Sequence, residues 1–279
     1  MLDICFRCDK DNKIDYVWFD TGLEYQATKE HLKYLEEKYD IGIIIYKAIR
    51  PVPLSCRQYG IPFISKRASD YISRLQRHGF QFEDESFDSL YERYPKCKSA
   101  LSWWCNNNQT LNICRNKWLK EYLVQNPPQF KISSVCCEYA KKKVVKKCIK
   151  DNGYDLNITG VRKAEGGIRA TAYKSCFDEN PGECDNYRPL FWYKNSDKEE
   201  YEKFFNIIHS RCYTEYGMKR TGCACCPFGL KLKEELDIAE RYEPKLYKAV
   251  NNIFYDSYEY TRKYREFCKI KNEEVNNKR

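Results

Sequence analysis

Apolar and polar positions alternate in two different periods near the start of the chain. Asp15-Tyr-Val-Trp-Phe19 is a short run of aromatic and β-branched residues followed by Asp20-Thr-Gly22, the pattern of a buried strand that ends in a polar turn. From Ala27 to Tyr39 the spacing changes: Leu32, Leu35 and Tyr39 recur among Glu and Lys, an amphipathic helix, before Ile41-Gly-Ile-Ile-Ile-Tyr46 returns as a second strand. A β-α-β unit of this kind predicts a parallel sheet flanked by helices, with ligands beyond the carboxyl ends of the strands, where Asp20, Thr21 and Gly22 fall.

The next stretch is punctuated by Pro51-Val-Pro53, Gly60-Ile-Pro62 and Asn126-Pro-Pro128 around helical patterns at 68–78 and 117–124, and reads as a helical insertion over residues 51–132. Trp103 and Trp104 within it are expected to pack in a core. A helix is expected from Ser133, with Ser134 as its cap and Cys136-Cys137 in its first turns, leading into the basic run Lys141–Lys147 as a solvated face. Ile158-Thr-Gly-Val-Arg162 reads as a strand end entering a loop whose Gly166-Gly167 would let backbone amides approach an anion. Residues after Asp197 read as helical around Thr221-Gly-Cys-Ala-Cys-Cys-Pro-Phe-Gly229, and the charged tail after Lys269 as frayed. The organisation expected is therefore 1–50 as the β-α-β start of a core, 51–132 as the insertion and 133–279 as the rest of the core with C-terminal helices.

Composition changes this picture in two respects. The 279 residues carry 49 Lys+Arg against 40 Asp+Glu, a net charge of +9 that favours anionic partners, nucleic acid among them. With 42% hydrophobic and 15% aromatic residues the chain is too apolar for intrinsic disorder. No window has the apolar length of a membrane span and the first residues are charged where a signal peptide is apolar, so a soluble, cytoplasmic protein without membrane contact is expected. The second respect is sulfur: 16 cysteines in a chain without an export signal point to metal or redox chemistry rather than a disulfide framework.

The cysteines have a pattern. Cys136-Cys137 and Cys223-x-x-Cys226 are separated by 85 residues (138 to 222), giving CC-x85-CxxC. Four thiolates suit a structural zinc or a [4Fe–4S] cluster. Adjacent side chains diverge, which hinders convergence on one tetrahedral ion and suits the separate iron corners of a cubane. Cys225, inside the CxxC, is a candidate to replace Cys226 as ligand or to act as a nearby reactive thiol; burial of all five as small hydrophobes is the bland alternative. A second constellation is anionic: Asp20, Thr21 and Gly22 at one strand end, with Arg162, Glu165 and Arg169 around the glycines at another, would gather cations and free amides about a phosphate or sulfate.

The order DTG, CC, GVRKAEGGIRA, RPLFWY and GCACCPFG resembles the phosphoadenosine phosphosulfate reductase family of the adenine nucleotide alpha-hydrolase-like superfamily, over most of the chain. The resemblance implies a Rossmann-like α/β core and a nucleotide site that includes Asp20, Thr21, Gly22, Arg162, Glu165 and Arg169, with Gly166 where the family's GxRxxES pattern has Ser. It also implies Cys136, Cys137, Cys223 and Cys226 as ligands of a [4Fe–4S] cluster near the sulfate of adenylyl sulfate or its 3′-phosphorylated form, and a thioredoxin-like electron donor. Arg188-Pro-Leu-Phe-Trp192 matches the segment leading to the last helices. Two features depart from the family. The phosphate loop SGGKDS, which precedes the DTG strand, has no counterpart in the 19 residues before Asp20, so either a lost N-terminus or a partner chain would supply it, or the chain has given up nucleotide chemistry. The C-terminal ECGLH-like motif is absent; the last cysteine, Cys268 in Glu266-Phe-Cys-Lys269, is the other weak candidate nucleophile besides Cys225. The expectation is a reductase-like protein of sulfur metabolism, with ATP-dependent nucleobase thiolation as a variant and a non-catalytic module that binds nucleic acid or protein as the rival.

Overall fold

The computed structural model describes residues 1–277. Its first elements are α1 Leu2–Cys8, β1 Tyr16–Asp20, α2 Gln26–Tyr39, β2 Ile43–Lys47, α3 Val52–Tyr59, α4 Lys66–Arg77, α5 Phe87–Arg93, α6 Lys98–Trp104 and α7 Leu119–Gln125. There follow α8 Val135–Cys137, α9 Lys143–Asn152, β3 Leu156–Ile158, α10 Gly167–Ala172, β4 Phe177–Asp178, β5 Asp185–Tyr187, α11 Asn195–Phe204, α12 Arg211–Thr214, α13 Leu232–Tyr242 and α14 Pro244–Asn277. The chain is thus mixed α/β, mostly helical, with small sheets and a helical C-terminus. Among the described residues no helix is long and apolar enough to cross a membrane.

Contacts divide the chain into two interleaved units. The first comprises Met1–Asp20, Gln26–Lys47 and Lys141–Arg220; the second comprises Thr21–Tyr25, Ala48–Ala140 and the chain from Thr221 onward. The expected insertion at 51–132 falls wholly within the second unit.

All the strands belong to the first unit. β1 and β2 pair in parallel with Tyr16 opposite Ile43 and Asp20 opposite Lys47, as the alternating period predicts for a β-α-β unit. α2 supplies the crossover, and its Glu36 carboxylate accepts the backbone N–H of Ile43 at 2.9 Å, fixing where β2 starts. β3, β5 and β4 form a separate sheet in that order, β3 parallel and β4 antiparallel to β5. β1 and β3 are therefore both edge strands. The Tyr154 hydroxyl, just before β3, donates to Asp15, just before β1, at 2.6 Å, and Asn152 at the end of α9 donates to the Tyr46 hydroxyl of β2 at 2.7 Å. The buried carboxylate of Asp3 on α1 accepts from Arg7 at 2.8 Å, Tyr39 at 2.8 Å and Tyr201 at 2.5 Å, joining α1, α2 and α11.

The second unit holds the large aromatic core. Ser65 caps α4 by accepting from the N–H of Ala68, and Ala68, Ile72 and Leu75 on one face of that helix are fully buried. They pack with Phe63, Leu101, Trp103 and Trp104, and the Trp104 indole donates to the Glu83 carbonyl at 2.9 Å, so both tryptophans are core residues as expected.

Two local expectations are corrected. The tail after Lys269 does not fray within the described residues: α14 continues to Asn277, because Lys271 pairs with Glu121 and Asn272 accepts from the Trp118 indole at 3.2 Å, which anchor its last turns on α7 and the residues before it. Ser134 occupies the cap position of α8 without a side-chain capping bond; the Ser133 hydroxyl accepts from the Val135 N–H instead, at 3.1 Å.

Candidate cysteine site

The cysteine site is built by three segments of the second unit. The first is residues 21–25, the turn after β1. Gly22 has φ +78, and a Cβ there would fall 2.7 Å from Cβ of Pro51, so the turn requires a glycine. The Thr21 carbonyl accepts from the N–H of Val52 at 2.9 Å and the Thr21 hydroxyl donates to Glu24 at 2.5 Å, which fixes the turn against the start of α3.

The second segment is the turn Thr221–Gly229, which lies along the first in successive contacts. The Cys223 thiol donates to the Thr21 hydroxyl at 3.5 Å, the Ala224 N–H donates to the Leu23 carbonyl at 2.9 Å, and the Cys225 sulfur lies 3.8 Å from the Tyr25 hydroxyl. Two motifs separated by about two hundred positions in the sequence are therefore neighbours. Cys225 has a left-handed backbone with φ +49 and is wholly buried; its thiol donates to the Glu235 carbonyl at 3.4 Å and its own carbonyl accepts from Tyr258 at 2.6 Å. The turn closes with the Gly229 N–H donating to the Cys226 carbonyl at 2.7 Å.

The third segment is α8, packed on α3. A parallel bridge between Ile61 and Ile132 sets that contact, with the Ile61 N–H donating to the Lys131 carbonyl at 2.8 Å and the Ser133 N–H donating to the Ile61 carbonyl at 2.9 Å. Gly60, at φ +106, makes the approach possible, because a Cβ there would sit 2.3 Å from the Lys131 oxygen. The result brings thiols together. Cys136 lies within electrostatic influence of the thiols of Cys137, Cys56 and Cys226. Cys137 favours the thiolate of Cys136, Cys56 and burial disfavour it, and the balance pushes that thiol well above the ordinary range. The chain widens to a π turn over Glu138–Lys142, directly after the cysteine pair.

Of the residues expected to hold a metal, Cys137 and Cys226 both act electrostatically on Cys136, and Cys223 lies on the same turn as Cys226, directed at Thr21. Among the described residues no three His, Cys, Asp or Glu side chains are arranged around one point as metal ligands. The donors fit a thiophilic group in chemistry: four cysteines on two segments of one unit, of which Cys137 and Cys226 influence Cys136. Cys56 belongs to the same nest and no motif marks it; its only sequence signal is the helical step from Val52, which puts both on the buried face of α3.

The two candidate nucleophiles differ. Burial pushes the Cys225 thiol up to about 12, against a smaller opposing effect of Tyr25, which leaves it protonated near neutrality. Cys268 lies on α14 ten residues beyond Tyr258, about 15 Å along the helix, and donates to the Lys117 carbonyl at 3.6 Å.

The expected anion-binding residues are distributed over the two units. Thr21 and Gly22 belong to the second, while Asp20 ends β1 in the first together with Arg162, Glu165 and Arg169. The Arg162 guanidinium donates to the Lys194 carbonyl at 3.3 Å and to Asn195 at 3.2 Å, and its backbone N–H donates to Glu165 at 3.3 Å. Glu165 pairs with Arg169, which is half-buried beside Arg220. Gly166 and Gly167 are both left-handed, at φ +69 and +57, with open space where a side chain would stand. Arg188, just after β5, is buried and pairs with Asp178 at 2.6 Å, a structural role.

No family model matches the chain, and no curated protein matches it.

Proposed function

We propose that the chain is a phosphoadenosine phosphosulfate reductase-like protein of sulfur metabolism, which acts on an adenylylated substrate and holds a [4Fe–4S] cluster on Cys136, Cys137, Cys223 and Cys226. The observation that carries the reading is the contact of Thr21, Leu23 and Tyr25 with Cys223, Ala224 and Cys225, because it sets the nucleotide-type DTG turn directly against the CxxC turn. A bound cluster would supply redox or electrostatic chemistry beside an anionic group. Within the second unit Thr21 positions Cys223; within the first, Gly166 and Gly167 would offer backbone amides and Arg162 and Arg169 positive charge to an anionic group.

In this reading β1-β2 and β3-β5-β4 are two parts of one Rossmann-like sheet that lacks a strand between the edges of β1 and β3. The bond from Tyr154 to Asp15, the packing of α9 on β2 and the approach of Met1 to 3.4 Å from a Cβ at Gly160 support that placement within the first unit. A phosphate-loop strand from outside these 279 residues, supplied by a preceding segment of the same protein or by a partner chain, would complete both the sheet and the nucleotide site. A thioredoxin-like donor would serve a reductase, and ATP would take the place of the adenylyl sulfate in a nucleobase-thiolation variant.

Anaerobic purification with visible spectroscopy and iron, sulfide and zinc analysis tests the cluster. The expected result is a brown protein with about four irons, lost in Cys137→Ser; a colourless protein with one zinc overturns it. Adenylyl sulfate should bind once a phosphate-loop segment is joined to the chain, and failure of that extended protein to bind removes the nucleotide part. The exposed lysines of the 141–147 run favour the nucleic-acid-binding rival; binding to RNA or DNA that falls steeply with salt would support it, and undetectable or salt-insensitive binding would remove it.

A further inference from the structure

We propose that Cys5 and Cys8 form a redox-active dithiol that exchanges with small-molecule disulfides and closes reversibly to an intrachain disulfide at the end of α1. This activity belongs to the first unit and does not depend on the cluster reading of the second. Among the 16 cysteines only Cys223 and Cys226 share the C-x-x-C spacing of Cys5-Phe-Arg-Cys8. On an α-helix that spacing puts two residues on one face with Cα atoms about 5 Å apart, inside the range that a disulfide bridges. The two thiols have different surroundings. Cys5 is 8% exposed and donates to the Met1 sulfur at 3.7 Å, whereas Cys8, the last residue of α1, is exposed. An incoming disulfide therefore meets Cys8 first, with Cys5 as the second thiol one turn behind it. The body of α1 is anchored: Asp3 accepts from Arg7, Tyr39 and Tyr201, the Phe6 and Tyr39 rings lie 5.1 Å apart, and the Arg7 guanidinium stands 4.1 Å from the centre of the Phe205 ring. Past Cys8 the chain runs into the exposed residues 10–13. Drawing the Cβ atoms from their helical separation of about 5–6 Å to the roughly 4 Å of a disulfide thus falls on Cys8 and the turn after it. An exposed disulfide that must draw in a helix end is of the labile, exchanging kind rather than a structural staple. In the exchange the Cys8 thiolate attacks one sulfur of RS–SR and expels RS⁻, leaving a mixed disulfide. Cys5 then gives up its proton and its sulfur attacks that of Cys8, expelling the second RS⁻. Two protein thiols are oxidised to one disulfide, RS–SR is reduced to two RSH, and the two cysteine protons end on the expelled thiolates.

The test incubates the reduced full chain anaerobically with oxidised glutathione at pH 8, alkylates the remaining thiols and digests with trypsin. Cleavage after Arg7 separates Cys5 from Cys8 unless a disulfide joins them, so mass spectrometry reads the bond directly. The expected result is a joined pair of fragments in the wild type, separated again by dithiothreitol. In Cys5→Ser the expected product is a lasting glutathione adduct on Cys8, an adduct that is transient in the wild type. In Cys8→Ser the fragments should stay separate and Cys5 free of glutathione. A wild-type chain that keeps glutathione on Cys8 as long as Cys5→Ser does overturns the inference. So does a wild-type chain in which Cys5 and Cys8 remain reduced while the exposed Cys114 takes up glutathione. Modification of Cys5 in Cys8→Ser as fast as that of Cys8 in Cys5→Ser overturns the order of attack.

Discussion

Three donors on one buried carboxylate make Asp3 the most strongly held acid of the first unit. Burial disfavours its charge, but the hydrogen bonds from Arg7, Tyr201 and Tyr39 outweigh burial and lower its carboxyl to about 2 from an ordinary value of 3.8. Because the folded value is the lower one, the stabilisation is complete above about pH 4 and is lost as the pH falls toward 2. Asp3→Asn should therefore cost on the order of 2 kcal/mol near neutrality and less with each step into acid, the two unfolding curves meeting near pH 2. Thermal unfolding of both proteins across that range checks it, and curves that stay parallel would count against it. Cys225 gives a second test: alkylation at pH 8, read by mass spectrometry, should modify the exposed Cys8 and Cys114 while Cys225 reacts roughly a thousandfold more slowly, as its raised value and full burial require. Fast modification of Cys225 would restore it as a nucleophile. At this scale the sequence marks Cys136, Cys137, Cys223 and Cys226 by their spacing alone. It was silent on Cys56, Tyr25 and Tyr258, whose partners lie far along the chain and whose residue types are ordinary for a helix interior.

Among the elements, the junction of α3 with the segment before α8 depends on one backbone conformation. Gly60→Ala must both adopt φ +106 and displace the Lys131 carbonyl, so a loss on the order of 3 kcal/mol is expected. Gly79→Ala is the control: it has φ +74 with nothing within 4 Å, and should cost about 1 kcal/mol from conformation alone. Denaturant unfolding of the pair separates the two contributions, and equal losses would mean that residues 131–133 yield to the new methyl. β1, α2 and β2 were legible from hydrophobic period because each buries one face locally. The length of α14 was not, because its last turns are polar and owe their order to Lys271–Glu121 and Trp118–Asn272, contacts that no local pattern announces. The sheets show a similar limit: the parallel pairing of β1 with β2 follows from the β-α-β pattern, whereas the separation of β3, β5 and β4 into another sheet depends on which strands are present to pair.

For the whole molecule, the division into two units gives the cysteine site an address. On the proposed cluster reading, removing the metal with a chelator should speed amide exchange in α3, α8 and residues 223–229 of the second unit while β1, β2 and α9 of the first remain protected, as hydrogen-exchange mass spectrometry would read. Equal loss of protection in both would mean that the site stabilises the chain globally. The expected boundaries near 50 and 132 came from proline and glycine punctuation; the observed units trade segments at 20/21, 25/26, 47/48, 140/141 and 220/221, and no composition shift marks those crossings. The interleaving sets a timetable for biosynthesis. Cys223 follows Cys137 by 86 positions (223 − 137), so at about 5–20 residues per second the first cysteine pair waits roughly 4–17 s on the ribosome for the second. Neither unit can be completed before residue 220 has been made, which on the proposed cluster reading makes filling of the cysteine site one of the last events in the maturation of the chain and leaves Cys136 and Cys137 as reduced thiols in need of protection until then.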